Sequence, residues 1–375
     1  MDLHERFSDP VRITSLEAFE FDGRYLVRAT SDDGATGVVM VNNRLAYLWP
    51  ILDQVVAAYF VGKDARDLVD LVEGVYTFRS AYKLAGIGFW NPVAYAELAV
   101  LDLLGKLAGC SVGALVGTVL RTEIPVYLSS LRRDTTPEEE VAWLGRRLEE
   151  TKATAVKLKI GGRMSHNADA FPGRTDRLIP LARETFGDDV VIYVDANGSY
   201  DADHAIEVAA LLVDHGVAFF EEPCPWQSYW ETQRVTAAEI LPVAGGEQDS
   251  SLDLFAWMIR GRVVDLVQAD VMYNGGLIRE LVVAGMAAEA GLAIMPHSPK
   301  IGAEAAAVLH FCSIAENLGP YQEWAGRPAV PTSWYTPGFG IDNGCVRVPQ
   351  GSGLGVVYDL DIWDKATCLC SVREA

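Results

Sequence analysis

The octapeptide AVKLKIGG, residues 155–162, sets two lysines two positions apart in an apolar, β-branched run. Side chains alternate across a strand, so Lys157 and Lys159 share one face while Val156, Leu158 and Ile160 share the other. Taken alone, such a strand suits a sheet with one wet face. Its neighbours change that reading. From Pro125 onward short strands alternate with helical stretches. The strands are IPVYLS, AVKLKIG, VVIYVDAN, VAFFEEP, PVAGGE, VDLVQAD, LAIMPHS and PYQEW, with helices such as DADHAIEVAALLVDHG and LIRELVVAGMAAEAG between them. This alternation implies parallel strands. Eight such units over roughly 200 residues predict an α/β fold with a (β/α)8-type, TIM-like barrel across residues 125–335.

The chain before the barrel has another texture. Residues 11–41 carry alternating apolar runs broken by Asp22-Gly23 and by SDDG, both hairpin signals. From about residue 48 to 116 the spacing turns helical, in PILDQVVAAYFVG and NPVAYAELAVLDLLGKLAG, with proline near the start and glycine at the end. Residues 1–124 are expected to form a compact α+β domain. The loop-rich segment 336–375 is expected to return to it.

Composition narrows the partners. With 51 acidic and 31 basic residues the net charge is −20, which disfavours nucleic acid and anionic membranes. No uninterrupted apolar stretch of about 18 residues is evident, so no membrane span is expected. The opening MDLHERFSDP lacks the apolar centre of a signal peptide, and six scattered cysteines suit free thiols. A cytoplasmic homo-oligomer acting on a small molecule is expected.

Polar residues recur at the strand ends. Asp195, Glu221, Glu247, Asp270, His297 and Glu323 follow one another at steps of 26, 26, 23, 27 and 26, and Lys159 precedes Asp195 by 36. The excess falls in GGRMSHNADAFPGRTD, a long loop after the second strand. A barrel brings these positions to one rim, where barrel active sites lie. Acids at strand ends often cap the next helix, but three in a row at near-equal spacing repel and call for a cation. Asp195, Glu221 and Glu247 therefore predict a hard divalent ion, Mg2+, and no cysteine or second histidine joins them to suggest a softer metal. In-facing Lys157 and Lys159 would repel by roughly 2.5 kcal/mol at an effective dielectric of ~20, about 1.8 pKa units, and so approach the range of a base. His297 stands one strand after Asp270, which can hold one ring nitrogen and leave the other facing inward.

The motifs KLK at 157–159, DAN at 195–197, EEP at 221–223, GGE at 245–247, Asp270 and PHS at 296–298 occur in one order. Together they resemble the mandelate racemase branch of the enolase superfamily over nearly the whole chain. The segment LDLLGKLAGCSVGALVG is similar to one in that family's capping domain. The resemblance implies Asp195, Glu221 and Glu247 as metal ligands, Lys159 as a base, and His297 with Asp270 as the acid/base opposite. It further implies Lys157 as a tuning or carboxylate-binding neighbour, Asn197 as a substrate or metal-shell contact, and Glu323 as a donor to an enediolate if protonated. Asp270 stands where muconate-cycloisomerase, succinylbenzoate-synthase and dipeptide-epimerase relatives carry lysine, which argues against those three activities. Removal of a proton alpha to a carboxylate, followed by loss of a β-hydroxyl, gives a 2-keto-3-deoxy acid. An acid-sugar dehydratase, acting on an aldonate or aldarate, is the leading expectation. Racemisation or epimerisation of a 2-hydroxy acid is the alternative. Arg24, Asn42, Asn43 and Arg44 of the first domain are the candidate substrate contacts.

Overall fold

The computed structural model describes residues 2–329 and 332–374. Its first sheet is built from β1 (Ile13–Phe21), β2 (Arg24–Ser31) and β3 (Thr36–Val41), antiparallel neighbours in that order. Asp22 and Gly23 both take positive φ, 52° and 66°, as a two-residue hairpin turn demands. The strand Thr367–Arg373 adds to the free edge of β1, so the end of the chain completes this sheet.

Helix Ile87–Leu107 lies across the sheet. A Cβ on Gly37 of β3 would fall 2.0 Å from the Ala99 carbonyl oxygen, so glycine is what allows this approach. Length and composition would let this helix cross a membrane, but Asn91, Glu97 and Asp102 interrupt its apolar run and 89% of its apolar stretch is buried within the protein. Its buried Asp102 explains the location: the carboxylate accepts from the N–H groups of Val38, at 2.7 Å, and Leu354, at 2.6 Å. It is a core helix. A second departure concerns Pro50, which sits inside helix Leu45–Ile51 rather than at its start, with a π-helical stretch Leu52–Ala57 following. The missing N–H of Pro50 interrupts regular α-helical pairing there.

The barrel strands are β4 (Glu123–Ser129), β5 (Ala155–Lys159), β6 (Val191–Asp195), β7 (Val217–Glu221), β8 (Val243–Gly245), β9 (Leu266–Val267), β10 (Ala293–Ile294) and β11 (Gln322–Ala325). All eight match the strands read from sequence, and consecutive strands pair in parallel from β4 to β10, with β11 on the other side of β4. The ring departs from a fully closed barrel at one seam, where β10 and β11 share no ladder and a single bridge joins Ile294 to Leu318. At that seam β10 offers only two residues, too little backbone for a continuous ladder. Beneath the rim, Tyr127, Tyr193, Phe219 and Met295 fill the interior, with Tyr193 and Phe219 stacked at 3.9 Å. This plug closes the lower end.

The first domain is tied to the barrel beside β9. Glu97, on the core helix, accepts the Ile278 N–H at 2.9 Å, at the N-terminus of barrel helix Leu277–Glu289. Arg279 lies 3.6 Å from the ring centroid of Trp90 and pairs with Glu73 at 2.6 Å.

Candidate active site

Lys159, Asp195 and Glu221 are the last residues of β5, β6 and β7, and the register sets Lys159 beside Asp195 and Asp195 beside Glu221. Both lysines are buried, so the strand has no wet face. Lys157 Nζ lies 2.7 Å from Glu221, 2.8 Å from Glu323 and 4.0 Å from Asp195. Burial opposes its charge, but Glu221 and Glu323 outweigh this and hold the ammonium well above its ordinary pKa. The sequence expectation that the two lysines depress each other fails for Lys157. The reason is distance: its carboxylate partners touch it, while the second lysine is two residues along the strand.

Lys159 Nζ donates to Asp195 Oδ2 and, at 3.2 Å, to Asn197 Oδ1. Asn197 is a junction. Its side-chain oxygen also accepts from Arg133 at 2.9 Å and Arg163 at 3.3 Å, and its amide donates to Glu222 at 3.2 Å. Asn197 and Glu222 both adopt positive φ, 43° and 41°, the kind of strained backbone that recurs at functional sites.

Across the mouth, Asp270 Oδ1 accepts the N–H groups of Met272 at 2.7 Å and Tyr273 at 3.2 Å. Its Oδ2 binds His297 Nδ1 at 2.9 Å and Lys300 Nζ at 3.4 Å. Burial would raise the Asp270 carboxyl, yet Lys300 and His297 hold it below the carboxylate range. His297 Nε2 is left facing Glu247 at 3.3 Å and Glu323 at 3.9 Å. Against the cost of burial, Glu247 and Asp270 push His297 up to about 9. Glu323 also accepts the Ser298 N–H at 2.9 Å. Although burial opposes its charge, Lys157 and His297 draw the Glu323 carboxyl down to about 2. Lys157 and His297, which face it, favour its charged form.

Among the described residues, no three His, Cys, Asp or Glu side chains are already gathered around a metal position. Asp195 and Glu221 meet near Lys157, whereas Glu247 turns toward His297 and Gln248. The chemistry of the donors nonetheless fits a hard cation. Burial, and then the neighbouring Asp195, push Glu221 up to about 8; burial and Glu247 raise Glu222 as well. More negative charge is buried here than the two lysines neutralise.

Beside them lies a cavity of about 330 Å3 lined by Lys159, His297, Glu222, Glu247, Arg44 and Arg163 among others. Of the four first-domain candidates only Arg44 lines it. Arg24 pairs with Glu304 at 3.6 Å, Asn42 is engaged by Asn91 and Tyr95, and Asn43 is exposed. Residues that the sequence reading passes over also line it: Glu222, Arg163, Gln248 and Tyr273. Glu222 had a signal, as the second acid of EEP. Lys300, three residues beyond His297, had none.

A family model described as enolase C-terminal domain-like matches residues 139–362. The chain is 26% identical to a D-galactarolactone cycloisomerase of Agrobacterium fabrum, over 96% of this chain and 95% of that one. It is 26% identical to an arabinonate dehydratase of Saccharolobus solfataricus, over 91% and 90%. A mandelate racemase/muconate lactonizing protein from Paracoccus denitrificans, solved with magnesium, superimposes with a TM-score of 0.86 at 27% identity, over 96% of this chain and 99% of that one.

Proposed function

Because this chain belongs to the enolase C-terminal domain-like family, we propose that it dehydrates an acid sugar to a 2-keto-3-deoxy acid. The observation that carries this reading is the pair Lys159 and His297, which border one cavity from β5 and from the loop after β10, with His297 oriented by Asp270. Two relatives of the chain, named for arabinonate and galactonate dehydration, support the substrate class.

In this reading Lys159 Nζ takes the proton alpha to the substrate carboxylate. His297, as imidazolium, gives its Nε2 proton to the β-hydroxyl, the C–O bond breaks and water leaves. The resulting enol takes a proton and becomes the 2-keto acid. Asp270 holds the imidazole and favours its charged form. Lys157, an ammonium held by Glu221 and Glu323, adds fixed positive charge behind Lys159. Asp195, Glu221 and Glu247 would hold Mg2+, which supplies electrostatic stabilisation to the charge that gathers on that carboxylate. Two proton-transfer groups at one cavity also suit racemisation of a 2-hydroxy acid, the second reading.

The test is a panel of acid sugars with Mg2+, followed for 2-keto acid and by proton NMR. Keto acid formation that stops on chelation is the expected result. Inversion of the α-carbon with no keto product would replace dehydration by racemisation.

A further inference from the structure

We infer that the acid sugar carries a carboxylate at each end, and that Arg44 and Arg163 receive the second one. This rests on the dehydratase reading and narrows it to diacids. Both guanidinium-bearing side chains line the cavity that holds Lys159 and His297, yet they come from different parts of the chain. Arg44 precedes helix Leu45–Ile51 of the first domain, and Arg163 lies in the long loop after β5. Arg44 donates to the Tyr273 hydroxyl and sits 4.3 Å from that ring's centroid. Tyr273 in turn packs at 5.7 Å from His297. Arg163 donates at 3.3 Å to Asn197 Oδ1, the oxygen that Lys159 also reaches.

Each guanidinium is thus oriented by one neutral partner and keeps most of its five N–H donors. Among the described residues neither guanidinium, Arg44 half-buried and Arg163 exposed at the cavity rim, is ion-paired with a carboxylate, in a chain with 51 acidic residues against 31 basic ones. The acids that line the cavity, Glu222 and Glu247, are engaged by Asn197, Gln248 and His297 instead. Hydroxyl groups alone would be served by neutral donors such as Gln248. Two oriented guanidiniums without a counter-charge match a carboxylate, which accepts two parallel N–H bonds from a guanidinium fork.

The experiment compares aldaric acids with the aldonic acids of matched configuration, for wild type, Arg44→Met and Arg163→Met. It reads kcat/KM for 2-keto acid formation, and α-proton exchange in D2O. The best diacid is expected to exceed its matched monoacid by roughly tenfold to a hundredfold, the size of a lost charged hydrogen bond. Each variant is expected to narrow that ratio by tenfold or more, with the loss concentrated on the diacid. Equal or better use of the monoacid by wild type would overturn the inference and leave dehydration standing. So would a ratio that neither variant moves. Absence of both turnover and exchange with every acid sugar would instead remove the dehydratase reading, and this inference with it.

Discussion

On the lysine wall of the site, Lys159, Asp195 and Glu221 end strands of five residues, and the ladder β5–β6–β7 spaces them. On the histidine wall, Asp270 and His297 lie three residues past β9 and β10, strands of only two. There the ladder stops short and side-chain bonds take over. Two backbone N–H groups fix one oxygen of Asp270, and the other oxygen fixes the imidazole. The first wall is placed by register and the second by hydrogen bonding. The difference teaches that register decides where a charge stands, while only its contacts decide what state it holds. Lys157 and Lys159 share a strand face, but Lys157 is held between two glutamates and Lys159 borders the cavity.

The strongest way to break this contrast is Lys159→Met. Turnover and α-proton exchange should both fall by ~10^4-fold, the upper range for a general base. Retention of exchange within tenfold of wild type, measured by NMR in D2O, would deny the lysine wall its chemical role. Next comes Lys157→Met, which leaves Glu221 and Glu323 buried without their cation. A loss of about 3–5 kcal/mol is expected in urea unfolding of the metal-free protein. An unmoved midpoint would show that the pairing does not stabilise the wall. Asp270→Asn should act less strongly, lowering turnover by about 10^2–10^3-fold. It also sharpens the comparison through pH. His297 is pushed up to about 9, so as imidazolium it can serve as an acid until pH rises past that value. Removing the Asp270 charge lowers the His297 pKa, and the alkaline limb of kcat should move to lower pH. A limb that stays in place would separate His297 from the acid step.

Much of the barrel was legible because its signal is local. Each strand is a short apolar run, and the recurring polar residue at its end survives in the spacing of Asp195, Glu221, Glu247, Asp270, His297 and Glu323. Charge state was not legible. The partners that decide Lys157 are 64 and 166 residues away, and nothing near KLK announces them. The open seam was hidden as well, since LAIMPHS has the composition of a longer strand than the two residues that pair. Among the polar residues of the first domain, Arg24 and Asn42 look as suitable for a ligand as Arg44. Only packing shows that the first meets Glu304 and the second is taken up by Asn91 and Tyr95.

Glu97 and Trp90 belong to the first domain, yet one finishes the start of the barrel helix Leu277–Glu289 and the other supports Arg279 within it. A consequence follows for how such a protein can be recombined. A chimera that replaced residues 1–124 with an unmatched domain would leave the Ile278 amide without its acceptor and Arg279 without its platform, a few residues from Asp270. Among the described residues the long loop after β5 makes no such bond to the first domain; its hydrogen bonds beyond the loop run to barrel residues such as Asn197, Ser199 and Asp201. Transplanting that loop changes one wall of the cavity and leaves the histidine wall assembled. Exchange of the first domain must bring its barrel contacts along, so the two routes to a new specificity differ in how many positions must change together.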